Sequence, residues 1–114
     1  MGGFIQAIGC FVLANNGGFV CQGKVQYIDN DGNMNLTDGY GNMPIGQRET
    51  MNPGDKGVPD GAPMRMYIDI VAGDDRTGSP WWLFSASSNQ CANYDITGTT
   101  LNSSVHFNGI TTGC

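Results

Sequence analysis

The sequence predicts an all-β fold, and three observations carry that prediction. Glycine supplies 18 of 114 residues, about double the usual ~7%. The residues that build helices are scarce: one Glu (Glu49), two Lys (Lys24, Lys56) and four Leu (Leu13, Leu36, Leu83, Leu101). Short runs of alternating apolar and polar residues are separated by clusters of Asn, Asp, Gly and Pro, which are turn residues. Residues 1–114 therefore read as one domain, an antiparallel β-sandwich or small barrel. About seven or eight short strands at spacings of ~8–12 residues fit that class.

The first element, FIQAIGCFVLA over 4–14, is apolar on both alternating sets. Phe4, Ile8, Cys10 and Val12 share one face, and Ile5, Phe11 and Leu13 the other, as in a strand buried on both sides. Its outer face needs a cover, either flanking loops or a second copy in a homodimer. NNGG at 15–18 signals a hairpin. The strand that follows, 19–28, sets Phe19, Cys21, Val25 and Tyr27 against Gln22, Lys24 and Gln26. Pairing Ala14 with Phe19 places Cys10 opposite Gly23 and Cys21 opposite Val12, a poor geometry for a mutual disulfide. Residues 29–63 are mostly turn chemistry, with short strands at 33–37 and 43–51, and Pro53, Pro59 and Pro63 mark a long stiff loop. In the next strand, 64–73, Met64, Met66, Ile68 and Ile70 oppose Arg65, Tyr67 and Asp69. A turn at 73–80, the strand WWLFSA, a looser run at 93–101 and a final strand at 104–110 complete the chain. There is no convincing internal repeat.

Charged residues make up 13% of the chain, the net charge is -5 and the pI is near 4.3. Five scattered basic residues cannot form the stripe that nucleic acid requires, nor a polybasic membrane anchor. The expected partner is neutral: a glycan, an uncharged lipid or a protein receptor. Cys10, Cys21, Cys91 and Cys114 show no metal-binding spacing, and His106 is the single histidine. Their even number predicts two disulfides that staple the first strands to the C-terminal half, Cys10–Cys114 with Cys21–Cys91 as first choice and Cys10–Cys91 with Cys21–Cys114 as second, with four buried thiols as the alternative. Disulfides imply an extracellular, secreted protein, although MGGFIQAIGCFVLANN lacks the basic start and cleavage site of a standard signal peptide. No stretch is long and apolar enough to span a bilayer.

Asp29, Asp31 and Asp38 lie in a stretch similar to a calcium loop. The EF-hand pattern fails because Tyr27 falls where the first carboxylate belongs, which leaves a looser β-loop calcium site against an ordinary Asp/Asn/Gly turn. No other cofactor is expected. Asp74 and Asp75 are neighbours in one turn and cannot straddle a scissile bond. His106 has no activated nucleophile beside it, so the chain does not read as an enzyme. Asn35 and Asn102 head acceptor sequons for glycosylation. Trp81 and Trp82 must point to opposite faces of their strand. Trp82 shares its face with Phe84 and is assigned to the core. Trp81 then becomes an indole platform for a sugar, assisted by Tyr40, Asp74, Asp75 and Asn89 from neighbouring loops.

In size and layout the chain resembles the small all-β lectins and the β-sandwich cytolysins, a resemblance of architecture alone. The first expectation is a non-catalytic, lectin-like carbohydrate-binding protein. The alternatives are a stable protein that acts on a protein receptor or on itself through strand 4–14, and a cytolysin-like binder of neutral membranes.

Overall fold

Among the described residues, nine strands share two sheets in an order far from that of the sequence. A computed structural model of the chain describes residues 5–113. The strands are β1 (Ala7–Ile8), β2 (Cys10–Asn15), β3 (Cys21–Ile28), β4 (Met34–Leu36), β5 (Arg48–Met51), β6 (Pro63–Ile70), β7 (Arg76–Phe84), β8 (Gln90–Thr99) and β9 (Asn102–Thr112). One sheet runs β1-β7-β6-β3-β4 and the other β5-β2-β8-β9. The inward-facing sets interleave into one core: Phe11 and Leu13 from β2, Val25 from β3, Met64 to Ile70 alternately from β6, Trp82 and Phe84 from β7, Tyr94 and Ile96 from β8. The β-sandwich predicted from composition is the fold observed. Most ladders are antiparallel, but β1 pairs with β7 and β2 with β8 in parallel.

The first run of apolar residues is two strands rather than one. It breaks at Gly9, where a Cβ would run into the Ser88 carbonyl oxygen. β1 stays in the five-stranded sheet, and β2 crosses into the other. Phe11 and Leu13 then face the core, while Cys10 and Val12 join Cys91 in a small cluster on the outer side. Cys10 and Val12 are only 7% and 6% exposed within the single chain, while Ile5 is 44% exposed. Phe4 lies outside the described residues.

NNGG is not a hairpin. β2 and β3 belong to different sheets, and the segment between them crosses the top of the core. The buried side chain of Asn15 directs the crossing. Its Nδ2 donates to the Phe19 and Met43 carbonyls at 2.7 and 2.9 Å, and its Oδ1 accepts from the Gly17 amide at 2.9 Å. A hairpin would have turned this amide to solvent. Here both of its donors and its oxygen are bonded inside.

The cysteine placement departs from the first-choice pairing and agrees with the Cys10–Cys91 half of the second. Cys10 lies directly opposite Cys91 on the parallel β2–β8 ladder, with the two sulfurs 2.7 Å apart. Cys21 is a free thiol on β3 that faces the core from the other sheet. The Cys21–Cys91 bridge is therefore not the one this fold allows, because Cys91 points away from the core. Burial pushes the Cys21 thiol up to about 11, and the charge of Asp69 adds to the effect. Cys114, and with it the Cys10–Cys114 pairing, lies outside the described residues.

Candidate functional site

The residues grouped from sequence as a sugar site do not converge. Trp81 sits partway along β7. Asp74 and Asp75 precede β7 at one end of the sandwich, and Asn89 follows it at the other. Tyr40 belongs to the far side, its amide donating to the Gly23 carbonyl of β3, two strands from β7. Several of these groups are also committed elsewhere. Tyr40 donates to the Asn52 carbonyl at 2.6 Å and lies under Lys56; burial, then the charge of Asp55, raises its phenol. Asp75 accepts from the Tyr67 hydroxyl at 2.6 Å, which pushes that phenol up to about 12. The Asn89 carbonyl accepts from the Gly113 amide.

The acidic loop makes a turn rather than a calcium site. Asp29 Oδ1 accepts from the Asp31 and Asn33 amides at 2.9 Å, and Oδ2 accepts from Asn35 at 2.6 Å. These bonds, the one from Asn33 foremost, hold its carboxyl below the usual range. With both oxygens used locally, Asp29, Asp31 and Asp38 do not gather around a common point. Among the described residues no three acidic, histidine or cysteine side chains are placed to hold a metal. His106 is exposed, 3.3 Å from the Thr97 hydroxyl, as its alternation predicts. Asp69 pairs with Lys24 at 3.2 Å, while Arg65 donates to Gln26.

Trp82 is core, as assigned, and Trp81 is half-buried. What re-aims Trp81 is a bulge. Met64 pairs with Trp82 and Met66 with Gly78, so Arg65 alone opposes Ser79, Pro80 and Trp81. The Ser79–Pro80 peptide is cis. A second bulge leaves Asn108 unpaired on β9, between Phe107 and Gly109. The two bulged strands are neighbours across the sandwich, and a cavity of about 700 Å³ opens between them, lined by Ile5, Gln6, Pro80, Trp81, Trp82, Phe107, Gly109 and Ile110. Bulges of this kind redirect side chains beside sites. The walls are fixed. Trp82 Nε1 donates to the Tyr94 hydroxyl, which donates to the Ser79 carbonyl, both at 2.9 Å. Phe107 packs on Trp82 and Tyr94, and Arg65 covers a face of Trp81 at 4.7 Å. Burial holds the Tyr94 phenol up at about 12.

A second surface has no signature in the sequence. The strand directions bring four loops, 16–20, 43–47, 71–75 and 100–101, to one end of the sandwich. Each carries one exposed aliphatic residue: Val20 (37% exposed), Ile45 (62%), Val71 (50%) and Leu101 (68%). Backbone bonds lace the loops together: Val71 to Val20, Asp74 to Thr100, Gly18 to Gly98 and Gly46 to Asn15. In the sequence Ile45 and Leu101 are isolated apolar letters among turn residues, P-I-G and T-L-N, while Val20 and Val71 sit beside core residues in F-V-C and I-V-A. Periodicity cannot detect such a residue.

No protein-family model matches this chain, and no curated protein matches it. Solved structures of similar architecture do exist. The membrane-binding domain of pneumolysin is 16% identical, with a TM-score of 0.49 over 89% of this chain and 96% of that domain. Listeriolysin O is 18% identical with a TM-score of 0.48 over 88% of this chain, and suilysin from Streptococcus suis is 16% identical with a TM-score of 0.49 over 89%. The chain spans 22% and 23% of the lengths of those two proteins. These are likenesses of fold at low identity.

Proposed function

We propose that this is a non-catalytic, extracellular protein that binds the surface of neutral membranes through the loop end. One observation carries the reading: four separate loops each present an exposed aliphatic at the same end. Single exposed apolar residues are ordinary, but four gathered on laced loops make a surface that can enter the interfacial layer at several points. Burying each aliphatic side chain is worth about 1–2 kcal/mol, and because the loops are already tied to one another little ordering is needed. Asp74 and Asp75 at this end, and the net charge of -5, favour uncharged or zwitterionic headgroups over anionic ones. No helix among the described residues is long and apolar enough to cross a membrane.

The carbohydrate reading keeps a half-buried indole but loses its polar partners, since Asp74, Asp75, Tyr40 and Asn89 stand apart from Trp81. Flotation with phosphatidylcholine vesicles tests the proposal. The wild type is expected to float, weakly or not at all when the vesicles are made anionic. Val71→Ser with Leu101→Ser should weaken binding by about tenfold or more, with an unchanged denaturation midpoint. Tryptophan emission is the wrong readout, because neither Trp is in these loops; Leu101→Trp supplies the reporter. Absence of flotation, together with selective glycan binding lost in Trp81→Ala, would return the protein to the lectins.

A further inference from the structure

The cleft between β7 and β9 takes no part in membrane contact as proposed. Trp81 is level with Arg65, three residues along β6 from Ile68, the partner of Arg76, which sets it about 10 Å of strand below the start of β7. A surface touched by the loop tips does not reach it. The volume of about 700 Å³ falls within the ~300–1,000 Å³ usual for small-molecule sites. Its walls are chiefly Ile5, Pro80, Trp81, Trp82, Phe107 and Ile110, and no charged side chain lines it. Two polar groups in the lining have no hydrogen-bond partner among the described residues: the Gln6 side-chain amide and the Trp81 indole N–H.

We infer that this cleft is a binding site for an uncharged small molecule with a flat, mostly apolar body and a hydrogen-bonding group at its edge. The aromatic walls select the flat body. A charged ligand would give up hydration against walls that offer no counter-charge. An aliphatic or aromatic skeleton would bury its faces there and leave a hydroxyl, carbonyl or amide for Gln6 and the Trp81 N–H. The hydrogen bonds from Trp82 to Tyr94 and on to Ser79, with Arg65 over Trp81, hold the walls in place before the ligand arrives, which lowers the cost of binding.

Titration with phenylnaphthylamine, an uncharged apolar fluorophore, tests the site. Both tryptophans line the cleft, so quenching of their emission reports binding directly. The expected result is saturation at one equivalent, with affinity about tenfold lower in Trp81→Ala and lowered also in Ile110→Ser. Met34→Ser, which removes an exposed apolar residue elsewhere, should leave the affinity unchanged, and Trp81→Ala should still float with vesicles. Several outcomes overturn the inference: uptake that does not saturate, equal affinity in both wall variants, or binding that appears only after residues 1–4 are removed. The last would make the chain's own N-terminal segment the occupant. Saturation at half an equivalent by a dimer would give the cleft to a second copy.

Discussion

The two ends of the sandwich are built from loops of similar composition, yet they dispose of their apolar residues in opposite ways. At the end opposite the tips, the long loop after β5 opens with a short 3-10 turn, Pro53–Lys56, capped by Asn52, whose side chain accepts from the Gly54 amide. Pro53 and Val58 are folded under it and buried. The Asp60 carboxylate accepts from the Ala86 amide and ties the next loop down. At the other end Val20, Ile45, Val71 and Leu101 stand out in solvent, although the backbone beneath them is just as well bonded. Loop rigidity and apolar burial are therefore separate properties here. An end can be fully ordered and still leave its aliphatic groups outside, and that combination distinguishes a presented surface from a merely loose one.

The comparison fails if the loop end is not held from within, so its anchor is the first thing to remove. Asn15→Ala strips three hydrogen bonds from a fully buried site and takes their partner from the Phe19 carbonyl and the Gly17 amide, while the Met43 carbonyl keeps the Cys21 amide. A loss of about 3 kcal/mol is expected in chemical denaturation, against about 1 kcal/mol for Asn52→Ala at the opposite, solvent-exposed cap. Equal losses would mean that the two ends are organised alike. Val58→Ser sharpens the contrast from the other side. It should cost about 2 kcal/mol of stability by hollowing a buried position and leave vesicle flotation unchanged, the reverse of the Val71 and Leu101 pair.

The smallest effect is a titration. The phenols of Tyr94, in the core, and Tyr67, bonded to Asp75 near the loop end, both ionise at about 12 rather than 10.0. Between those values the unfolded chain has lost protons that the folded one keeps, so these phenols lower stability as pH rises from 10 toward 12, on top of a fall that the Cys21 thiol begins from its ordinary 9.0. Denaturation midpoints across that window, compared for Tyr67→Phe and Tyr94→Phe, separate the two contributions. A flat profile in the wild type would remove both.

The fold class was legible because composition and turn chemistry are local properties. The alternation in Met64–Ile70 and the opposite fates of Trp81 and Trp82 were legible for the same reason. Sheet membership was not. Nothing in NNGG distinguishes a hairpin from a crossing between sheets, because the deciding bonds of Asn15 reach Met43, 28 residues away. The same blindness left the partner of Cys10 open between Cys91, 81 residues away, and Cys114, and put the wrong one first. The calcium reading of Asp29 mistook a carboxylate occupied by its own turn for one open to a ligand. Only the indole of Trp81 could be found in advance, since its strand has two faces and the core needs one. Its cleft depends on two bulges in strands that meet through tertiary structure.

The strand directions also decide how the molecule can be handled. β9 runs away from the four loops, and Gly113 is fastened to Asn89 at the far end. A tag, a fluorophore or a biosensor linkage placed after β9 would therefore orient the aliphatic loops outward and leave the side cleft open. Ile5 lines the cleft together with Trp81, so the same attachment made directly before Ile5 would crowd it. A molecule immobilised both ways gives two different instruments: one that reports on both surfaces, and one that is selectively deaf to small ligands.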